Sequence, residues 1–159
     1  MPGFMTTPTG HIVPFPEPDT SLRATMWHDQ SLVLTGNHIV VTVDTAQRHA
    51  FIANQSAAAN GDVSTNGCYL AAGTYTLNVL GVSGPLRAKL DIALDGLTIV
   101  SGQDWYAAAL THEVIKSTVG VVVPYSGWHT VKLTTNGRNA LATGWVMSLT
   151  YIEFRPAAD

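Results

Sequence analysis

A single cysteine, Cys68, stands in the 159 residues, so no internal disulfide can staple this chain. Beside Tyr69 and Leu70 it reads as a small buried residue rather than a nucleophile. Charge is also scarce. Charged residues make up 12% of the sequence, about half of the roughly 25% in an average soluble domain. The surface is therefore expected to be rich in Thr, Ser, Asn and Gln, and to be partly covered by partners. Eight basic against eleven acidic residues leave a formal net charge of −3. A phosphate-binding surface needs clustered Lys and Arg. Here Arg87, Lys89, Lys116, Lys132 and Arg138 are scattered, which excludes nucleic acid as a partner. No apolar run approaches the roughly 18 residues of a membrane span, so no membrane partner is expected. The start, Met-Pro-Gly-Phe-Met-Thr-Thr-Pro, has neither the basic region nor the apolar core of a secretion leader. The chain is expected to be made in a reducing cytosol, and Asn54-Gln55-Ser56 to be a chance match to the glycosylation pattern.

Catalytic and metal-binding patterns are missing too. There is no G-x-S-x-G elbow, no strand–turn–helix to expose a nucleophile, no phosphate loop and no dinucleotide motif. Carboxylates at catalytic spacing are absent. His38, His49 and His112 lack any H-x-H or H-E-x-x-H spacing, so no transition metal is expected. Asp91, Asp95 and Asp104 could supply a structural calcium site, but Asp95 is better explained as a turn residue. No enzyme activity, cofactor or metal is expected. His129 falls on the apolar face of its strand and reads as a buried or interface histidine.

What the sequence does contain is alternation. Thr74, Thr76 and Asn78 alternate with Tyr75, Leu77 and Val79, the period of a half-buried strand. Leu86, Ala88, Leu90, Ile92 and Leu94 form one face of a second strand, with Arg87, Lys89, Asp91 and Ala93 on the other. Asp95-Gly96 is a hairpin signal, because a type I′ turn needs positive φ at both central positions. Leu97 to Val100 returns. Further strands are expected at 38–44, 48–55, 114–123 (Val119, Val121 and Val123 on one face), 128–135 and 145–154. Residues 56–67 read as a loop, and Asn136-Gly137 as a turn. No amphipathic helix of normal length appears. The reading is all-β: a jelly-roll-like antiparallel β-sandwich over residues 22–159.

Residues 1–21 differ. Five of the eight prolines (Pro2, Pro8, Pro14, Pro16 and Pro18) lie here, and proline neither donates a backbone hydrogen bond nor varies φ. The segment is expected to be an extended N-terminal arm that pairs poorly in a sheet. Phe4, Met5, Ile12, Val13 and Phe15 are apolar and would suit burial on a neighbouring subunit or larger surface. Elsewhere, Asp104, Trp105 and Tyr106, with Trp128 and Trp145, are candidates for stacking on sugar rings. The same large residues would equally fill the core or a subunit interface.

Two resemblances follow from these motifs. Gly-Thr-Tyr-Thr-Leu (73–77), Leu-Asp-Ile-Ala-Leu-Asp-Gly (90–96), Gly-Trp-His-Thr-Val-Lys-Leu (127–133) and Ser-Leu-Thr-Tyr-Ile-Glu-Phe (148–154) resemble the galactose-binding-like jelly rolls, which include many carbohydrate-binding modules. Thr150 stands where that family usually has Asp. More narrowly, Ala58–Asp62, Leu70–Gly81, Gly102–Tyr106 and Asn136–Ala140 look like the small β-sandwich of tailed-bacteriophage virion proteins, found in head decoration proteins and tail-fibre tips. The narrower resemblance implies a structural virion protein on the capsid surface. It would be a decoration protein that binds as a homo-oligomer, a trimer, whose arm binds the major capsid protein. The broader one implies the alternative, a carbohydrate-binding module or a receptor-binding tip that takes a glycan.

Overall fold

The computed structural model describes residues 60–157 throughout and, before them, the paired backbone of six short strands. Those six are β1 (Phe4–Thr6), β2 (Ile12–Pro14), β3 (Ala24–Trp27), β4 (Val33–Thr35), β5 (Ile39–Thr42) and β6 (Phe51–Asn54). Seven longer strands follow: β7 (Val63–Leu70), β8 (Gly73–Ser83), β9 (Ala88–Leu94), β10 (Leu97–Asp104), β11 (Thr111–Val123), β12 (Gly127–Arg138) and β13 (Ser148–Pro156). They form an all-β, antiparallel, two-sheet sandwich of jelly-roll type. One sheet runs β10-β9-β12-β7-β4 and the other β11-β8-β13-β6-β5, with β3 also paired to β13. The described residues contain no helix.

The core forms where alternation holds. Leu77 and Val79 of β8, Leu90 and Ile92 of β9, Val131 and Leu133 of β12, and Ile152 and Phe154 of β13 are buried between the sheets. Asp95 and Gly96 have φ of 49° and 85°, so the type I′ hairpin forms as its residues dictate. Leu94 pairs with Leu97 across it.

Four departures have local causes. The β9 pattern does not extend back to Leu86. Gly84–Arg87 is a turn closed by the Arg87 N–H on the Gly84 carbonyl, so Leu86 is exposed and Arg87 buried, the reverse of strand order. In β11, Val121 and Val123 are buried while Val119 is 78% exposed. A bulge between Thr118 and Val121, at Gly120 with φ of 73°, shifts the phase. Asn136-Gly137 is likewise no turn. It is a bulge inside β12, with Gly137 at φ of 83°. Finally, β7 begins at Val63 within the expected loop. Its inward positions include Ser64 and Asn66, small polar residues that hide a strand's hydrophobic period.

The arm expectation is corrected in one respect. Phe4–Thr6 and Ile12–Pro14 pair as a two-stranded antiparallel ribbon, with Met5 opposite Val13. Extended proline-rich backbone can still pair when its prolines lie at strand ends, as Pro14 does. The side chains of Phe4, Met5, Ile12, Val13 and Phe15 lie outside the described residues.

Candidate functional site

The expected aromatic cluster divides between two ends of the sandwich. Trp105 follows β10 at the Ala88 end of β9, where its N–H donates to the Ala88 carbonyl. Trp128 stands near the start of β12, beyond the other end of β9, since Val131 pairs with Leu94 and Arg138 with Ala88. Six residue steps separate Ala88 from Leu94, about 20 Å of strand. The two indoles therefore belong to no common site.

Trp105 is a core residue, 2% exposed. Its ring fills the hollow over Gly81, where an added Cβ would lie 3.1 Å from the indole and collide with the Ser148 carbonyl. The indole N–H donates to Gln103 Oε1 at 3.0 Å, and the Lys116 ammonium lies 5.4 Å from the ring centroid. Asp104 is committed to its own loop. It accepts the Tyr106 N–H at 2.9 Å and the Asn139 amide at 2.7 Å. Tyr106 is half-buried and bridges to Gly84. Trp145 stacks under the Arg138 guanidinium at 4.8 Å.

Trp128 is the opposite case. It is 74% exposed on the outer face of its sheet, directly across from Tyr69, which is 44% exposed. Their rings meet edge to face, 6.2 Å apart at 90°. Gly67 lies opposite Thr130, so the β7 position diagonal to the indole carries no side chain. Below this pair a clasp fixes the strand start. Asp95 Oδ1 accepts the Thr130 N–H at 2.7 Å, and Oδ2 accepts the Tyr125 hydroxyl at 2.9 Å. The same Oδ2 lies 2.6 Å from His129 Nδ1, and His129 Nε2 lies 3.0 Å from the Tyr125 carbonyl. These donors, the Thr130 N–H first and then the Tyr125 hydroxyl and His129, hold the Asp95 carboxyl below its ordinary range. Asp95 in turn holds the Tyr125 phenol above its own.

An Asp–His pair raises the question of a catalytic dyad. The second ring nitrogen of His129 faces a backbone carbonyl rather than a hydroxyl or thiol, so it has no nucleophile to activate. Ser126 accepts the Ala72 N–H at 2.8 Å instead. The cluster is a clasp that positions the Tyr125–Trp128 segment.

From Trp128 the outward row of β12 continues through Thr130, Lys132 and Thr134 to Asn136. It runs into a cleft of about 390 Å³, within the roughly 300–1,000 Å³ of small-molecule sites. Ala93 and Gly96 keep its floor low, and Asn60, Asp91, Lys132 and Thr134 border it. Its walls are tied in place. Thr135 Oγ1 accepts the N–H groups of Gly61 and Asp62, both at 2.9 Å, and the Thr135 backbone pairs with the same two residues, which extends β7 alongside β12. Asn60 Oδ1 accepts the Gly137 N–H at 2.8 Å. Asp91 accepts the Gly102 N–H at 2.7 Å and the Asn136 amide at 2.6 Å, joining the β10 bulge to β12.

The sequence did not single out Tyr69, Asn60, Lys132 or Thr134. Lys132 and Thr134 alternate with the buried His129, Val131 and Leu133 along β12. Tyr69 and Asn60 join the row only through strand pairing and the Thr135 anchor.

The fold recurs in solved structures. It matches the CBM36-1 domain of a multidomain xylanase from the hindgut metagenome of Trinervitermes trinervoides, with a TM-score of 0.64 and 16% identity over 87% of this chain and 100% of that one. The fold is that of carbohydrate-binding modules. Native family 35 carbohydrate-binding module from Clostridium thermocellum matches with a TM-score of 0.61 and 11% identity, over 86% of this chain and 99% of that one. The carbohydrate-binding module CBM36 in complex with calcium and xylotriose matches with a TM-score of 0.58 and 18% identity, over 82% and 98%. No family model matches the sequence, and no curated protein does. These neighbours are carbohydrate-binding modules, not virion proteins. Asp91, Asp95 and Asp104 are each engaged by separate N–H or O–H donors, and among the described residues no three His, Cys, Asp or Glu side chains converge.

Proposed function

We propose that this chain is a non-enzymatic glycan-binding module whose site is the outer face of the β10-β9-β12-β7-β4 sheet. The observation that carries this reading is the exposed Trp128–Tyr69 pair standing at the head of a polar cleft. An indole offers a flat apolar surface to the C–H face of a pyranose ring. The hydroxyls, amides and ammonium of Thr130, Lys132, Thr134, Asn60 and Asn136 match the sugar's own donors and acceptors. Exposed apolar aromatics cost solubility and are commonly binding sites. The use of both His129 nitrogens in the clasp supports the non-enzymatic part. The shared fold of carbohydrate-binding modules supports the class.

The alternative, a trimeric capsid decoration protein held to a major capsid protein through its arm, draws on side chains outside the described residues. None of the neighbours favours it. The test is affinity electrophoresis through gels carrying soluble plant and bacterial polysaccharides, followed by calorimetric titration. At least one polysaccharide should retard the protein, and Trp128→Ala should weaken binding about tenfold or more while the circular dichroism is unchanged. Unretarded migration of the wild type through every polysaccharide would sink the proposal.

A further inference from the structure

Three Asn-Gly pairs stand among the described residues: Asn60-Gly61, Asn66-Gly67 and Asn136-Gly137. Asn-Gly is the dipeptide most prone to deamidation, because glycine has no Cβ to hinder its backbone nitrogen or to restrict the turn that brings it onto the asparagine amide carbon. The fold treats the three pairs unequally. Asn66 is 4% exposed inside β7, and Gly67 pairs with Thr130 of β12. The Gly61 N–H meets two acceptors of Thr135, the carbonyl and Oγ1, both at 2.9 Å. Asn136 is exposed, and Gly137 lies in the β12 bulge with φ of 83°. Neither of these two has a register partner on β7 or β9. The Gly137 N–H is held instead by a side chain, donating to Oδ1 of the exposed Asn60 at 2.8 Å.

We propose that Asn136 is the deamidation site of this chain and that Asn60 is the residue that slows the reaction. The Gly137 backbone nitrogen gives its proton to solvent base and bonds to Cγ of Asn136. The Cγ–Nδ2 bond breaks, and the amide nitrogen leaves as ammonia. Water then opens the cyclic imide at either carbonyl, giving aspartate or isoaspartate. One water is taken up and one ammonia released, and nothing is oxidised or reduced. While the Gly137 N–H donates to Asn60 Oδ1, that bond must break before the nitrogen can attack. The product has a local consequence. Asn136 Nδ2 donates to Asp91 Oδ2 at 2.6 Å. An ionised carboxylate at 136 has no hydrogen to donate and sets a like charge beside Asp91. The tie between β12 and β9 is then lost where Asn60, Asp91 and Asn136 line the cleft. The inference stands whether or not that cleft holds a glycan.

The test is incubation of the full chain at mildly alkaline pH, followed by proteolysis and mass spectrometry of the peptides that carry the three asparagines. In the wild type Asn136 should convert ahead of Asn60 and Asn66, to a mixture of aspartate and isoaspartate. Asn60→Ala removes the acceptor and should speed conversion at Asn136 about fivefold, the worth of one net hydrogen bond, while Asn66 keeps its rate. Asn60→Asp retains an oxygen acceptor and should stay near the wild-type rate. Conversion of Asn60 or Asn66 ahead of Asn136 overturns the site. An unchanged Asn136 rate in Asn60→Ala overturns the role of Asn60, as does a rise shared by Asn66 or an Asn60→Asp rate equal to that of Asn60→Ala. Asn136 still intact in native Asn60→Ala after the urea-unfolded chain has converted overturns both.

Discussion

Trp105 and Trp128 should respond in opposite ways to the same substitution. Trp105 is 2% exposed, packs over Gly81 and donates its N–H to Gln103. Its replacement by Ala removes a large buried ring and leaves a cavity, a change that costs about 3–5 kcal/mol. In a domain of this size each kcal/mol moves the midpoint by about 2–4 °C, so Trp105→Ala should lower it by about 10 °C or more. Trp128 is 74% exposed and touches Tyr69 only by an edge, and surface changes of that kind stay within about 0.5 kcal/mol. Trp128→Ala should unfold in urea beside the wild type while losing glycan affinity. If Trp105→Ala fails to fold, Trp105→Phe keeps most of the packing and loses chiefly the Gln103 hydrogen bond, about 1 kcal/mol. Urea denaturation followed by circular dichroism reads all three variants. A midpoint for Trp128→Ala as low as that of Trp105→Ala would show that Trp128 is a packing residue, and the platform would have to be abandoned.

Gly81→Ala drives a Cβ into the Ser148 carbonyl and against the Trp105 ring; a loss of about 2–3 kcal/mol is expected by differential scanning calorimetry, and an unchanged profile would contradict the close approach. Thr135→Val strips the side-chain acceptor of the Asp62 N–H, while the Gly61 N–H keeps the Thr135 carbonyl. It should cost about 1–2 kcal/mol and speed amide exchange at Asp62 more than at Gly61, whereas unchanged exchange at Asp62 would show that the segment is held otherwise. The Asp95 carboxyl lies below its ordinary value, held chiefly by the Thr130 N–H. Its contribution is therefore present above the ordinary aspartate range and lost as pH falls through the lowered folded value. Asp95→Asn should flatten the loss of stability below about pH 4, and parallel acid titrations of the two proteins would count against the clasp. Burial, then the charge of Asp95, pushes the Cys68 thiol from 9.0 up to about 11. Its contribution is full below pH 9 and lost as pH rises through about 11. At pH 8 the native thiol should react about a hundredfold more slowly with a thiol reagent than in urea; equal rates would place Cys68 at the surface.

Legibility in the sequence followed phase. Where a strand keeps strict alternation, as in β9 from Ala88 to Leu94, the inward and outward rows could be assigned residue by residue. Where a bulge inserts one residue, every assignment beyond it slips. Val119 was read with Val121 because nothing local marks Gly120 as a bulge rather than a strand residue. Asn136-Gly137 carries the chemistry of a turn, yet β9 and β7 hold the strand on course and the positive φ is absorbed as a bulge. The β7 strand was lost to Ser64 and Asn66, inward residues without hydrophobic character.

The same rule separates the two indoles. Trp105 follows the end of β10, so no alternation fixes its direction. Its burial depends on Gly81, 24 positions away, leaving the ring a hollow between β8 and β13. Adjacency to Asp104 and Tyr106 suggested a cluster, but adjacent residues on extended backbone point apart, and Asp104 turns back to its own loop. Trp128 sits inside a strand whose phase is set by His129, Val131 and Leu133, all inward. That phase alone sends the indole outward, on the row that holds Thr130, Lys132 and Thr134. An outward Trp on a central strand gains nothing from burial and is exposed at a cost in solubility. On the glycan-binding proposal, the ligand that covers the indole accounts for its place.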